Sequence, residues 1–267
     1  MQTKTQVINI AHSPDSDDAF MFYAIMKNKI DTKGYDFNFA SDEIAVLNRQ
    51  ALEGQNDYQI IALSFASLFK LEDEYELMPS GCSFGGKDYG PKIIFKNKPQ
   101  KNFKLAVPGE NTSAYLVAQS YLKENNLEIE PIFCAYDEVF DLLESGKVDA
   151  SLLIHEAQLK YQEMGYQLMV DLGVWWHEKH GLNMPLGCNA IKKDLGKDTI
   201  AELNEILYQS IVWGKENFKE VLEYSRDFAQ NDLNDEMAEK YLDMYVNDTT
   251  VKLSPEDYKS IDLLKLI

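Results

Sequence analysis

The 267 residues carry 44 acids against 26 bases, a formal net charge of −18, with 45% hydrophobic and 26% charged side chains. This is the composition of an ordinary globular chain and excludes disorder; the acidic excess argues against nucleic acid or an anionic membrane as partner. An anionic ligand would need local donors, such as helix N-termini, because the overall field repels it.

No apolar core followed by a small-residue cleavage site occurs near Met1, and no run is long enough to span a bilayer, so a cytoplasmic protein is expected. The three cysteines, Cys82, Cys134 and Cys188, are scattered and odd in number, which fits reduced thiols and offers no close pair for zinc or an iron-sulfur cluster. No dinucleotide glycine fingerprint, phosphate-binding loop or Gly-x-Ser-x-Gly elbow is present, so redox, kinase-like and serine-hydrolase chemistry lack their usual support.

In chain order, Gln6 to Ala11 predicts a strand, His12 to Asp18 a polar turn, and Asp15 to Lys27 a helix with acids in its first turn. Tyr35 to Ala40 predicts a second strand, Asp42 to Leu52 a helix ended by Gly54, and Tyr58 to Leu63 a third strand leading into Ser64. The Gly- and Pro-rich stretch Met78 to Pro91 predicts a binding loop, followed by the strand Lys92 to Phe95 and a crossover at 97–102. A second α/β series follows: the strand Phe103 to Val107, a turn through Gly109 and Thr112, a helix from Ser113 to Glu124, a strand from Ile132 to Ala135 and a helix from Asp137 to Glu144. The run Val148 to Ile154 then delivers His155 to the head of a helix-like stretch. Trp175 to Pro185 predicts a loop whose indoles cover a cleft; Leu186 to Ile191 predicts a returning strand. Helices over Thr199 to Phe218, Lys219 to Ala229, Glu236 to Val246 and Pro255 to Leu264 are expected to cover the first lobe.

Leu52 to Ser64 parallels Leu143 to His155: each ends a helix at Gly, places Asp three positions on, and runs an apolar strand to a polar residue. Helix-Gly-loop-strand is common enough in α/β chains to recur by chance; read as a repeat, it predicts two similar α/β lobes, residues 1–97 with 187–267 and residues 98–186, with Ser64 and His155 at equivalent strand ends facing a central ligand cleft. Alone, His155 reads equally as a general base or as a buried histidine bound to backbone. Thr112 and Ser113 read as a helix cap or as an anion cradle made with the first-turn N–H groups. Asp18 reads as balancing a helix dipole or meeting a ligand hydroxyl. His177 and His180, with no third ligand nearby, predict no metal site.

The segment Ile10 to Tyr23, the Asp42 to Gly54 helix, Tyr89-Gly90-Pro91, Asn111 to Tyr115 and Ile154-His155-Glu156-Ala157-Gln158 together resemble the menaquinone-biosynthesis family of the futalosine pathway. The resemblance implies a periplasmic-binding-protein-like (type II) fold and a carbon-carbon lyase step on cyclic dehypoxanthinylfutalosine without metal or organic cofactor. It makes His155 the general base and Thr112 with Ser113 the holders of a substrate carboxylate. Ser13, Asp18, Asp42, Ser64, Gln158 and the Gly90 backbone would make the remaining substrate contacts. Where such family members carry a threonine in the first turn, this chain has Ala19. A dehydratase acting on chorismate in the same pathway and a non-catalytic small-molecule binder therefore stay open. The partner expected is a small-molecule carboxylate, and a homodimer stays open.

Overall fold

The structure is a computed structural model that describes residues 6–225 and 235–267. Its elements in chain order are β1 (Val7–His12), α1 (Ser16–Met26), β2 (Asp36–Ser41), α2 (Ile44–Leu52), β3 (Ile60–Ser64), α3 (Phe65–Leu68), β4 (Tyr75–Leu77), β5 (Ser83–Gly85), β6 (Lys92–Phe95), β7 (Asn102–Val107), α4 (Ser113–Glu124) and β8 (Glu128–Phe133). There follow α5 (Val139–Glu144), β9 (Ala150–Leu153), α6 (Ala157–Lys160), β10 (Gln167–Asp171), α7 (Leu172–His180), β11 (Met184–Lys192), α8 (Lys197–Glu216), α9 (Phe218–Ser225), α10 (Asp235–Tyr245), α11 (Asp248–Val251) and α12 (Pro255–Lys265). Two compact units result, Met1–Ser83 with Gly187–Ser254 and Phe84–Leu186 with Pro255–Ile267.

In the first unit the sheet runs β2-β1-β3-β11-β4. β1 is parallel to β2 and β3, and β11 returns antiparallel to β3. Ile8, Ile10, Ile60 and Ile191 of the sheet pack with Met21, Phe22 and Ile25 of α1 and with Leu203, Ile206, Leu207 and Ile211 of α8. The opposite side of α1 meets α9 and α10 through Phe20, Tyr23, Val221, Leu222 and Leu242. α1 is thus buried all round, as its nearly unbroken apolar run from Ala19 to Ile25 requires. Each such fully buried Phe or Ile contributes about 1.5–3 kcal/mol of transfer free energy.

In the second unit the sheet runs β10-β6-β9-β7-β8. β7 is parallel to β8 and β9, and β6 is antiparallel to β9. The local order β8-β7-β9-β6 therefore repeats β2-β1-β3-β11, with three parallel strands and one antiparallel neighbour in each. In both sheets the carboxyl ends of the three parallel strands share one edge, the side on which open α/β sheets take their ligands.

Several sequence expectations are corrected here. The boundary placed at residue 97 moves to 83, because β6 pairs with β9 (Lys92 with Leu153 through Phe95 with Ala150) and so completes the second sheet. The last helix also belongs to the second unit, where Ser260 Oγ accepts the Trp176 indole N–H at 3.0 Å and donates to the Asn183 carbonyl at 2.5 Å. The segment expected as an indole-bearing loop is largely α7, capped by Asp171 and closed at Gly181, whose φ of 67° is left-handed. Trp176 is fully buried, and Trp175 packs on Tyr121 of α4 at 5.7 Å. β8 starts at Glu128, four residues before the strand expected at Ile132, and α2 starts at Ile44, two residues after Asp42. The Met78 to Pro91 loop contains the short strand β5. Of the helix expected over Lys219 to Ala229, α9 accounts for the part up to Ser225, and residues 226–229 lie outside the described residues. Among the described residues no helix is long and apolar enough to cross a membrane.

Candidate functional site

In the second unit the adjacent parallel strands β7 and β9 end in the two features singled out by sequence. β7 runs into Gly109 and then Thr112, the N-cap of α4, whose Oγ1 accepts the Tyr115 N–H at 3.2 Å and donates to the Gly109 carbonyl at 3.1 Å. Ser113 Oγ donates to the Leu186 carbonyl at 2.7 Å. Both hydroxyls thus donate to carbonyls of the local fold in this conformation.

His155 stands two residues past β9, at a left-handed φ of 49°. Its carbonyl accepts the Gln158 side-chain amide at 2.7 Å, and its ring meets Tyr136 nearly edge-on at 5.2 Å. Tyr136, in the short turn after β8, carried no signal in the sequence beyond being an aromatic among acids. Glu156 is fully buried.

The amino end of β6 brings Gly90 to the same edge, opposite the end of β9. A side chain at Gly90 would lie 2.5 Å from the Gly173 nitrogen, and one at Gly173 would lie 2.1 Å from the Tyr89 carbonyl oxygen. Lys92 donates to the Gly90 carbonyl at 3.1 Å and forms a largely buried ion pair with Asp171. Asp171 Oδ1 in turn accepts the N–H groups of Gly173 and Val174 at 3.0 and 3.2 Å. Gly90 is therefore needed to seat the first turn of α7.

In the first unit β1, β2 and β3 bring His12, Asp42 and Ser64 to the carboxyl edge. Ser13 donates its N–H to Asp18 Oδ2 at 2.7 Å, and its Oγ lies 2.8 Å from Asp15 and 2.7 Å from Asp18. Asp18 is thus tied to the turn that precedes α1. Asp42 accepts the Glu43 N–H at 2.9 Å and donates its own N–H to the His12 carbonyl at 3.2 Å. Ser64 is bound twice by Asn48 of α2, its N–H donating to Oδ1 at 2.9 Å and its Oγ accepting from Nδ2 at 3.0 Å. Asn48 shares the buried face of α2 with Leu47 and Ala51.

His12 was not singled out by sequence either. It is buried, with Phe22 and Phe39 against its ring, and its Nδ1 lies 2.7 Å from the Ser13 carbonyl. A carbonyl only accepts, so Nδ1 carries the hydrogen. Burial pushes its pKa below 6.5, against the raising effects of the Ser13 carbonyl and Asp15. The unfolded chain therefore takes up this proton first, and the stability contributed by neutral His12 is lost as pH falls below 6.5. His180, lowered by burial and Lys179, acts in the same direction. Urea unfolding at about pH 5.5 and about pH 7.5 should show a shallower pH dependence in His12→Asn than in the natural chain. Equal slopes would refute this role.

Two sheets of this order define the class. The chain has a periplasmic-binding-protein-like fold: a Candida albicans protein described as exhibiting the generic periplasmic binding protein structural fold matches with a TM-score of 0.67 at 11% identity, covering 99% of this chain and 91% of that one. A crystal structure of an Archaeoglobus fulgidus protein matches with a TM-score of 0.90 at 34% identity, over 97% of this chain and 95% of that one. The family model described as menaquinone biosynthesis matches residues 8–265. The 1,4-dihydroxy-6-naphtoate synthase of Thermus thermophilus is 30% identical over 258 residues, 96% of this chain and 92% of that protein. The chain belongs to the menaquinone-biosynthesis family.

Proposed function

We propose that the chain is a 1,4-dihydroxy-6-naphthoate synthase, a carbon-carbon lyase that converts cyclic dehypoxanthinylfutalosine to 1,4-dihydroxy-6-naphthoate in the cytoplasm without a metal or organic cofactor. The observation that carries the reading is the placement of His155. It sits at the carboxyl end of a parallel strand, next to the strand that leads to the N-terminus of α4, in a backbone conformation held by Gln158. Similarity to the Thermus thermophilus synthase along nearly the whole chain supports it.

In this reading the first turn of α4, with Thr112 and Ser113, meets the substrate carboxylate through N–H groups and the helix dipole. His155 removes a proton from the substrate and starts the electron flow that breaks the carbon-carbon bond. Ser13, Asp18, Asp42 and Ser64 contact polar groups of the ligand, and Gly90 keeps the second sheet's edge in shape.

Incubation with cyclic dehypoxanthinylfutalosine and, separately, with chorismate, followed by product analysis, tests the proposal. Release of 1,4-dihydroxy-6-naphthoate from the first is the expected result. Dehydration of chorismate would replace the reading with the dehydratase, and binding of either compound without product would make the chain a binding protein.

A further inference from the structure

Asn48 is buried on α2 beside Leu47 and Ala51, against the end of β3. A buried amide must find partners, and Asn48 finds two on one residue. Ser64 N–H can only donate, so the amide atom facing it is the oxygen, and the orientation of the whole group follows. Nδ2 then donates to Ser64 Oγ. Because Nδ2 cannot accept, the hydroxyl hydrogen of Ser64 is turned away from Asn48.

The residue paired with Ser64 carries no side chain. Ser64 is paired with Gly187 of β11, where a Cβ would meet the Leu63 carbonyl oxygen at an ordinary contact distance of 3.8 Å. Directly paired residues of an antiparallel ladder project to the same face. The sheet edge thus presents a buried hydroxyl of fixed polarity with no side chain on its paired neighbour.

We infer that Asn48 is a positioning residue that sets the Ser64 hydroxyl as a hydrogen-bond donor, so that the ligand atom bound there is an acceptor oxygen of a carboxylate, carbonyl or ether. This rests on the proposed placement of ligand against Ser64. Asn48 itself touches no ligand; it acts through Ser64.

Steady-state kinetics on cyclic dehypoxanthinylfutalosine with the natural chain, Asn48→Asp, Ser64→Ala and the double variant test the inference. Asn48→Asp keeps an acceptor for Ser64 N–H, but its second oxygen draws the hydroxyl hydrogen onto itself. Each single change is expected to raise KM by about tenfold, the worth of one hydrogen bond between neutral groups, with kcat within about twofold. The double variant should be no worse than Ser64→Ala alone, because both changes remove the same donor. A further tenfold rise from Asn48→Asp in the Ser64→Ala background would mean that Asn48 acts by charge or through the fold and would overturn the inference. So would an unchanged KM in Ser64→Ala. If the natural chain does not turn the compound over, the functional reading fails by itself. The same four proteins titrated with chorismate by calorimetry then read the same pattern in Kd, and binding of neither compound overturns both.

Discussion

Replacing His155 with asparagine is expected to lower turnover of the proposed substrate by about 100-fold or more, the range associated with a positioned general base. Asparagine is the informative replacement because it tolerates the left-handed backbone, so the φ of 49° and the Gln158 bond to the carbonyl can persist. The imidazole is lost and little else. Substrate affinity should change only slightly, since the base makes its decisive interaction in the transition state. A kcat within a few-fold of the natural chain would remove His155 from the chemistry and leave its ring as packing against Tyr136.

Gly173→Ala is expected to be the most destabilising single change proposed here. The added carbon would lie 2.1 Å from the Tyr89 carbonyl oxygen, and that atom is backbone, which cannot swing away as a side-chain tip can. Relief requires pulling α7 from the Gly90 strand, which breaks the cap made by Asp171 and exposes its buried pair with Lys92. A loss of about 3 kcal/mol is expected from such overpacking, which for a chain of this size is about 6–12 °C in Tm. Gly54→Ala provides the control. It has the same change in chemistry, a φ of 65° and no atom within 4 Å, so it should lose only the left-handed backbone preference, about 1–2 kcal/mol. Equal melting temperatures for the two variants would show that the Gly90 to Gly173 approach is not tight in solution.

The local signals in the sequence that translated well were caps and apolar strands. Thr112 before an amphipathic run placed α4 to the residue, and the run Lys92 to Phe95 placed β6. α7 escaped because its two indoles and its histidines suggested a covering loop, although Asp171 and Gly181 bracket it as caps in the sequence. The first four residues of β8 escaped because Pro131 and the acids obscured the alternation Glu128-Ile129-Glu130 that marks an edge strand. The unit to which β6 and α12 belong was not legible, since it depends on strand pairing and on the Trp176 to Ser260 bond, neither of which leaves a local pattern. Among site residues, His155, Thr112 and Ser64 stood out as polar groups closing apolar strands or opening helices. Asn48, His12 and Tyr136 did not, because each matters through a neighbour that only the fold supplies.

The left-handed backbone at position 155 also bears on how the chain can change over generations. Local energetics there favour glycine, and asparagine after it, over a bulky ring. Substitutions that relax the backbone are therefore a short mutational step away, and each discards the imidazole. Any effort to harden this protein by directed evolution for thermal tolerance alone would be drawn toward position 155, trading the ring for a quieter turn.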